Sequence, residues 1–274
     1  MPQDAERVAA PDGPDGPDGP AAGRPAGRAL AGVGRPASVQ DAIRRDIIAG
    51  VLTPGARVTE SSLAHRYDVS RVPVREALRG LESEGFIDSL PHVGSRVAPI
   101  PVHDADDLFA VREALEVSTA RSAARRAATL YSGDESPEDW WRTRREIAAL
   151  LDAGDAHVAT DDLDPLVPLN DQIHLGIAEL SGSATMTRLL RQLSWKIEWL
   201  YAADVQPRGK RLWPEHRVIV GAIDAGDGER AAALMAAHVR ESRVGYLLRY
   251  GVTTPSSDPV VAAAVEERRA AGRR

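Results

Sequence analysis

The sequence predicts a mostly α-helical protein in two parts: a small domain of three helices and a β-hairpin, then an all-α bundle. Three observations predict it. Apolar residues recur at helical spacing through most of the chain after Ser38. Strand-like character is confined to two short pieces, Phe86 to Ser89 and Ser95 to Ala98. From Asp104 onward no strand signal returns, and glycines punctuate long helical runs.

Residues 1–37 read as a disordered tail. PDGPDGPDGP, Pro11 to Pro20, repeats turn-formers that build no core. Arg24, Arg28 and Arg35 follow in the same style and leave a second reading open, a nonspecific arm that grazes DNA. At Ser38 the pattern changes. Val39, Ile43, Ile47 and Ile48 mark a helix, with Ser38 as N-cap and Gly50 as its end. The segment TPGAR supplies a Pro-Gly turn. Leu63, Ala64 and Tyr67 suggest a short second helix, and Asp68-Val69 a tight break. A third helix runs from Ser70 to about Glu84, and Gly85 ends it. The two strand pieces follow, joined by a turn containing Pro91 to Gly94, so residues 38–100 form one domain.

The bundle occupies residues 104–250. Leu108, Val111, Leu115 and Val117 open a long helix that continues through ARSAARRAATL. Further helices are predicted over Pro137 to Ala153, Leu166 to Leu180, Ala184 to Ala203, Lys210 to Ala225 and Gly228 to Arg249. Gly154, Gly182, Gly209 and Gly226 mark the breaks, which gives about six helices. Residues 251–274 read as a charged, flexible tail.

The segment VSRVPVREAL, Val69 to Leu78, carries the first functional signal. With Ser70 as N-cap, its hydroxyl would accept from the Val72 N–H. Pro73 then lies in the first turn, where its missing N–H had no intrahelical partner to lose. Val74, Ala77, Leu78 and Leu81 make a buried face. Arg71, Arg75 and Arg79, spaced by four, form a stripe elsewhere on the cylinder. A short helix, a tight turn and a helix presenting arginines from its N-terminal half make a helix-turn-helix. Such a helix enters the major groove, where arginine pairs bidentately with guanine and the helix N-terminus attracts phosphate. A hairpin directly after it makes a winged helix, with His92, Gly94 and Arg96 placed to approach DNA. The bland alternative is an amphipathic helix with a solvated arginine face.

Composition narrows the classes. The chain has 274 residues and no cysteine, which excludes disulfides, thiolate metal sites and a cysteine nucleophile. No apolar run approaches the roughly 20 residues that span a bilayer, and no apolar signal-peptide core is visible. These features point to a cytoplasmic protein with no membrane partner. The formal net charge of -6 requires any DNA contact to come from a local basic surface. Lys196 and Lys210 are the only lysines among many arginines, a bias that with abundant alanine suggests a bacterial, GC-rich source.

Residues 42–97 resemble the DNA-binding domain of the GntR family of bacterial transcription regulators. The resemblance rests on Gly50, Pro54-Gly55, Leu63-Ala64, Val69 to Leu78, Leu81, Glu84-Gly85 and Gly94, with spacing intact. Asp68 stands where glycine is common, Val72 where threonine is common, and His92-Val93 where the wing is usually basic. The resemblance implies DNA contacts from Ser70, Arg71, Val72, Arg75, Arg79, His92, Gly94 and Arg96.

Of seven histidines, His174, His216 and His238 fall inside predicted bundle helices. Asn170 precedes His174 by four residues and so shares its helix face. Helix-borne ligands converging in a bundle are one way to build a metal site, and imidazole suits zinc or nickel. A lone helical histidine is more often simply packed, and periodicity alone does not show convergence. Here too a resemblance adds to the reading. DLFAVREALEVSTARSAARRA, NDQIHLGIAELSGSATMTRLLRQL and EHRVIVGAIDAGDGERAAALMAAHVRES resemble the effector domain of the FadR subfamily of GntR regulators, the all-helical FCD fold. It implies a divalent metal held by Asn170, His174, His216 and His238, with Asn170 replacing the commoner aspartate. It also places Arg112 beside the central cavity, where it would pair with an effector carboxylate. An ion pair with Glu116, one turn on, is the competing role.

The whole reads as a ligand-responsive transcription regulator and not an enzyme. A homodimer on a palindromic operator, released by a small carboxylate, is the expected mode. A metal-sensing DNA-binding regulator is the alternative, and a metalloenzyme a remote one.

Overall fold

The structure is a computed structural model that describes residues 38–90, 94–99, 104–130, 138–250, 256 and 258–271. Its first part runs α1 (Val39–Ile48), β1 (Arg57–Val58), α2 (Glu60–Tyr67), α3 (Arg71–Ser83), β2 (Ile87–Leu90) and β3 (Gly94–Val97). Ser38 caps α1, its hydroxyl accepting from the Asp41 N–H at 3.1 Å. Thr59 and Ser62 cap α2 reciprocally. Asp68 then turns the chain at φ 52°, a left-handed conformation that a short polar side chain tolerates. That explains how aspartate serves where glycine is common.

Helix α3 buries Val74, Ala77, Leu78 and Leu81 against Ile43 and Ile47 of α1 and against Phe86, Ile87 and Val97. One detail of its start differs from expectation. Ser70 is the N-cap by backbone conformation, but its hydroxyl makes no capping hydrogen bond. Pro73 already removes one of the donors that such a cap would serve. The hairpin gains a strand that the sequence did not suggest. β1 is only two residues long, yet it pairs antiparallel with β3 and makes a sheet ordered β1-β3-β2.

The second part comprises α4 (Ala105–Leu130), α5 (Glu138–Thr160), α6 (Leu166–Leu180), α7 (Ala184–Ala202), α8 (Val205–Leu212), α9 (Glu215–Asp224), α10 (Gly228–Arg249) and α11 (Pro259–Ala271). Helices α4 and α10 form its axis and run antiparallel. The pairs Asp106–Arg243, Glu113–Arg240 and Arg121–Glu229 link them in opposite chain directions. Ala120, Ala123, Ala124 and Ala127 on α4, with Ala231 and Ala232 on α10, are buried and leave room for a close approach.

Three expectations are corrected. Gly154 does not break α5; the helix runs through it. Its missing Cβ makes room for Trp213, whose ring would lie 1.8 Å from a side chain there. The predicted helix from Lys210 to Ala225 is two helices, because Pro214 lacks the N–H that would continue the first. Gly209 accordingly falls inside α8. Finally, residues 251–274 are not all flexible tail. Pro259 to Ala271 form α11, whose Val261 and Val265 pack on Val244 and Leu247 of α10. Asp258 caps it by accepting from Val260 N–H at 2.8 Å. An aspartate cap followed by proline at the first helical position is a favoured helix start, and Asp258 and Pro259 supply it. Among the described residues, no helix is long and apolar enough to cross a membrane.

The two parts touch through α7. Phe86 stacks on Trp199 at 4.8 Å between ring centroids. The Arg44 guanidinium lies over Trp195 at 4.7 Å, while Glu84 grips the same guanidinium through two oxygens. A stack and a cation–π contact of this kind contribute about 0.5–2 kcal/mol each.

Candidate metal centre and nucleic-acid interface

The exposed side of the first part is where the sequence placed DNA contacts. Ser70, Arg71, Val72, Arg75 and Arg79 are all exposed, Val72 at 60%. They stand at and beyond the start of α3, whose first N–H groups lack intrahelical acceptors. Arg75 is not idle: its guanidinium grips Glu60 of α2 at 2.6 and 2.8 Å. That contact holds the Glu60 carboxyl below its ordinary value, with Arg71 and Arg79 close enough to add to the effect. A groove of about 470 Å³ separates α3 from the wing, lined by Arg75, Arg79, Glu82, Ser89, Gly94 and Ser95.

On the wing side, Gly94 has φ +93° and Arg96 donates to the Gly55 carbonyl at 2.9 Å. His92 lies outside the described residues. Sequence reasoning missed Arg57. It is exposed on β1, opposite Arg96 in the ladder, and its guanidinium would sit 3.7 Å from a Cβ at position 94. Only the unpredicted strand reveals that proximity.

In the second part, α6, α9 and α10 bring His174, His216 and His238 together. All three are buried, and their ligand nitrogens lie within 4.8 Å of one another. His174 Nε2 and His216 Nε2 are 3.3 Å apart. Two nitrogens bound tetrahedrally to zinc at about 2.0–2.1 Å would be separated by roughly 3.3 Å. The other ring nitrogens face acceptors. His216 Nδ1 is 3.0 Å from the Trp213 carbonyl, and His238 Nδ1 is 2.8 Å from Glu215 Oε2. His174 Nδ1 is 2.8 Å from Glu116 Oε2, an ion-pair distance without the alignment of a hydrogen bond. A proton on each Nδ1 leaves the three Nε2 atoms as acceptors, the tautomer in which such histidines ligate a metal, and that of His174 is met by Arg112 Nη2.

Burial, and then the neighbouring histidines, push His216 and His238 well below the ordinary imidazole range. Neutral imidazole is the form that ligates. Asn170 is buried one turn before His174, and neither its amide oxygen nor its nitrogen has a hydrogen-bond partner. A buried amide without partners costs about 1–3 kcal/mol. The three histidines therefore fit a divalent metal, and Asn170 adds a buried amide without a partner on the same helix as His174.

Arg112 lies against this cluster, fully buried. Its Nε donates to Glu116 Oε1 at 2.8 Å and its Nη2 lies 3.2 Å from His174 Nε2. The competing role, an ion pair with Glu116, is thus present. Burial alone would raise the Glu116 carboxyl, but Arg112 and then His174 outweigh it and bring it down to about 2. These contacts take two of the five guanidinium N–H donors, which leaves others for a further anion.

Trp213 supports the site from behind. It is fully buried, seated on Gly154, and donates from Nε1 to Asp155 at 3.0 Å. Neither Trp213 nor Glu215 was singled out from sequence, because the Trp213 ring meets α5 and Glu215 meets His238, both distant along the chain.

Comparison with known proteins agrees with this division. Residues 36–97 match the profile "Bacterial regulatory proteins, gntR family", and residues 107–241 match the FCD domain. A Paenarthrobacter nicotinovorans protein named "Probable D-xylose utilization operon transcriptional repressor" is 29% identical over 202 residues, 73% of this chain and 84% of that one. The Nta operon transcriptional regulator of Aminobacter aminovorans is 28% identical over 191 residues, 69% and 83% of the two chains. The solved structure of Escherichia coli McbR/YncC shares the fold, with a TM-score of 0.62 at 21% identity, over 77% of this chain and 96% of that one. With a GntR winged helix followed by an FCD domain, the chain belongs to the GntR family of bacterial transcription regulators, DNA-binding proteins and not enzymes.

Proposed function

We propose that this protein is a ligand-responsive repressor that binds a palindromic operator as a homodimer and leaves it when a small carboxylate enters the FCD domain. The observation that carries this reading is one compact unit holding both an exposed, arginine-bearing helix start and a buried cluster of three inward-facing imidazoles. Arg71 and Arg75 would read base edges, while Ser70, Val72, Arg79, Gly94, Arg96 and His92 complete the contact. Val72 offers methyl groups where a hydroxyl is common, which suits a thymine methyl. His174, His216, His238 and Asn170 would hold zinc or nickel. When bound, that ion would supply a Lewis-acidic position for an anionic oxygen. Arg112 would take the rest of the carboxylate.

The ligand changes DNA affinity only if it binds one domain arrangement better than another. Contact between the two parts through α7 makes such a difference available. A metal-sensing mode has its own support: Arg112 occupies the lone pair of His174 Nε2, so an arriving cation must displace it.

The test is fluorescence anisotropy on an operator duplex selected from a random pool by the wild-type chain. Zinc-loaded protein should release the duplex on addition of a bound carboxylate. Release by zinc alone would favour the metal sensor, and indifference to both would remove the regulated site.

A further inference from the structure

Tyr201, in the last turn of α7, has a defect that the fold does not explain. Its phenol is buried, and the hydroxyl has no hydrogen-bond partner. A hydroxyl left so costs about 1–3 kcal/mol, enough to matter in a fold of ordinary stability. Two neighbours say where it sits. Gly209 of α8 passes over it, with a Cβ there falling 3.9 Å from the hydroxyl. Leu166, which opens α6 one turn before Asn170, approaches the same point, its Cδ1 3.3 Å from that Cβ, and the Arg112 charge acts on the phenol. Burial, opposed by Arg112 and reinforced by Asp204, raises its pKa, so the group stays a neutral O–H donor.

We propose that Tyr201 is a ligand-contact residue: its hydroxyl donates to an oxygen of the carboxylate held by Arg112, and α7 passes that contact to the winged helix. This rests on the carboxylate reading above. The chemistry is complementary. Arg112 supplies charge and a planar fork, and a phenol supplies one directional donor without a further charge. Together they select an anionic oxygen over a neutral or cationic group.

The position of Tyr201 gives the contact somewhere to go. Trp195 and Trp199 are one turn apart and meet Arg44 and Phe86 of the winged helix. Tyr201 follows Trp199 by two residues, roughly 200° around the helix. Ligand and winged helix would therefore hold opposite faces of the same helical turn. A shift of α7 toward the ligand draws the two tryptophans away from their partners.

Tyr246 provides the internal control. Its hydroxyl is also buried and without a partner, but Arg112 is not among the groups that perturb it.

Isothermal titration of zinc-loaded full chain with acetate, L-lactate, L-malate and citrate tests the proposal. A carboxylate that binds the wild type should bind Tyr201→Phe about ten- to hundredfold more weakly. Zinc stoichiometry should be unchanged, and Tyr246→Phe should match the wild type. Phe86→Leu should bind the carboxylate normally, yet lose most of the change in affinity for the selected operator duplex. Equal carboxylate binding by wild type and Tyr201→Phe overturns the contact. A full operator response in Phe86→Leu overturns the route through α7. If none of the four anions binds the wild type, the carboxylate reading itself falls and takes this proposal with it.

Discussion

Replacing Gly154 by alanine puts one methyl group where the indole of Trp213 now lies. A Cβ there would be 1.8 Å from Cζ2, 2.2 Å from Cε2 and 2.5 Å from Cη2 of that ring. Non-bonded carbons rest about 3.5–4.0 Å apart, so the ring or α5 must move by about 1.7 Å. Trp213 cannot turn aside cheaply, because it is fully buried and its Nε1 is bonded to Asp155. Overpacking costs about 1–3 kcal/mol, and three ring atoms this close place Gly154→Ala at about 3 kcal/mol. At about 2–4 °C per kcal/mol, the melting temperature should fall by about 6–12 °C. The same shift disturbs the carbonyl that orients His216, which should weaken zinc binding about 10- to 100-fold. Calorimetry and a competitive zinc titration measure the two effects. Gly221→Ala in α9 is the control: nothing lies within 4 Å of its Cβ, so it should be neutral or up to about 1 kcal/mol stabilising. A Gly154→Ala chain that melts within about 2 °C of wild type and binds zinc as well would refute the packing argument.

Three further outcomes follow from named contacts. Burial first, and the Asp171 charge second, raise the Glu198 carboxyl to about 7, against the pull of Arg45 and Arg44. The folded state then holds a proton that the unfolded chain releases, so stability should fall as pH rises from about 4.5 to 7 and level off above. Allowing for partial exposure, the loss is about 1–2 kcal/mol, and Glu198→Gln should flatten the profile in melting curves between pH 5 and 8. Asn170→Asp adds a charge to the ligand set and leaves a buried carboxylate unpaired without metal. It should lower the melting temperature of the metal-free chain, widen the shift caused by zinc, and raise zinc affinity at least about tenfold. Arg57→Ala should weaken DNA binding across all sequences and reduce the slope of log K against log salt by about one, as loss of a phosphate contact does; an unchanged slope would place Arg57 off the DNA.

What was legible in the sequence was what local spacing encodes. Val74, Ala77, Leu78 and Leu81 announce the buried face of α3, and the same spacing puts Arg71, Arg75 and Arg79 outside. Asn170 and His174 share a face for the same reason, but only the bundle shows His216 and His238 arriving beside them. Contacts between distant residues were not legible. Gly154 looked like a helix break because the signal for its packing is Trp213, far along the chain. Glu215 orients His238, 23 residues on, through a contact that no motif records. β1 was too short to show alternation, and α11 carries its apolar stripe in only two valines. The fork between Arg75 and Glu60 was invisible for a different reason. It joins two helices whose mutual angle the sequence does not state.

Operator binding by Arg71→Ala/Arg75→Ala tests the account most directly, because everything proposed for the FCD domain presupposes that α3 reads DNA. Each bidentate base contact is worth about 1–3 kcal/mol of discrimination. Anisotropy at fixed salt on the selected duplex should therefore show specific affinity falling to the level of a scrambled duplex. Circular dichroism and zinc content should match wild type, since both side chains are exposed. Undiminished preference for the selected duplex over the scrambled one would contradict the account.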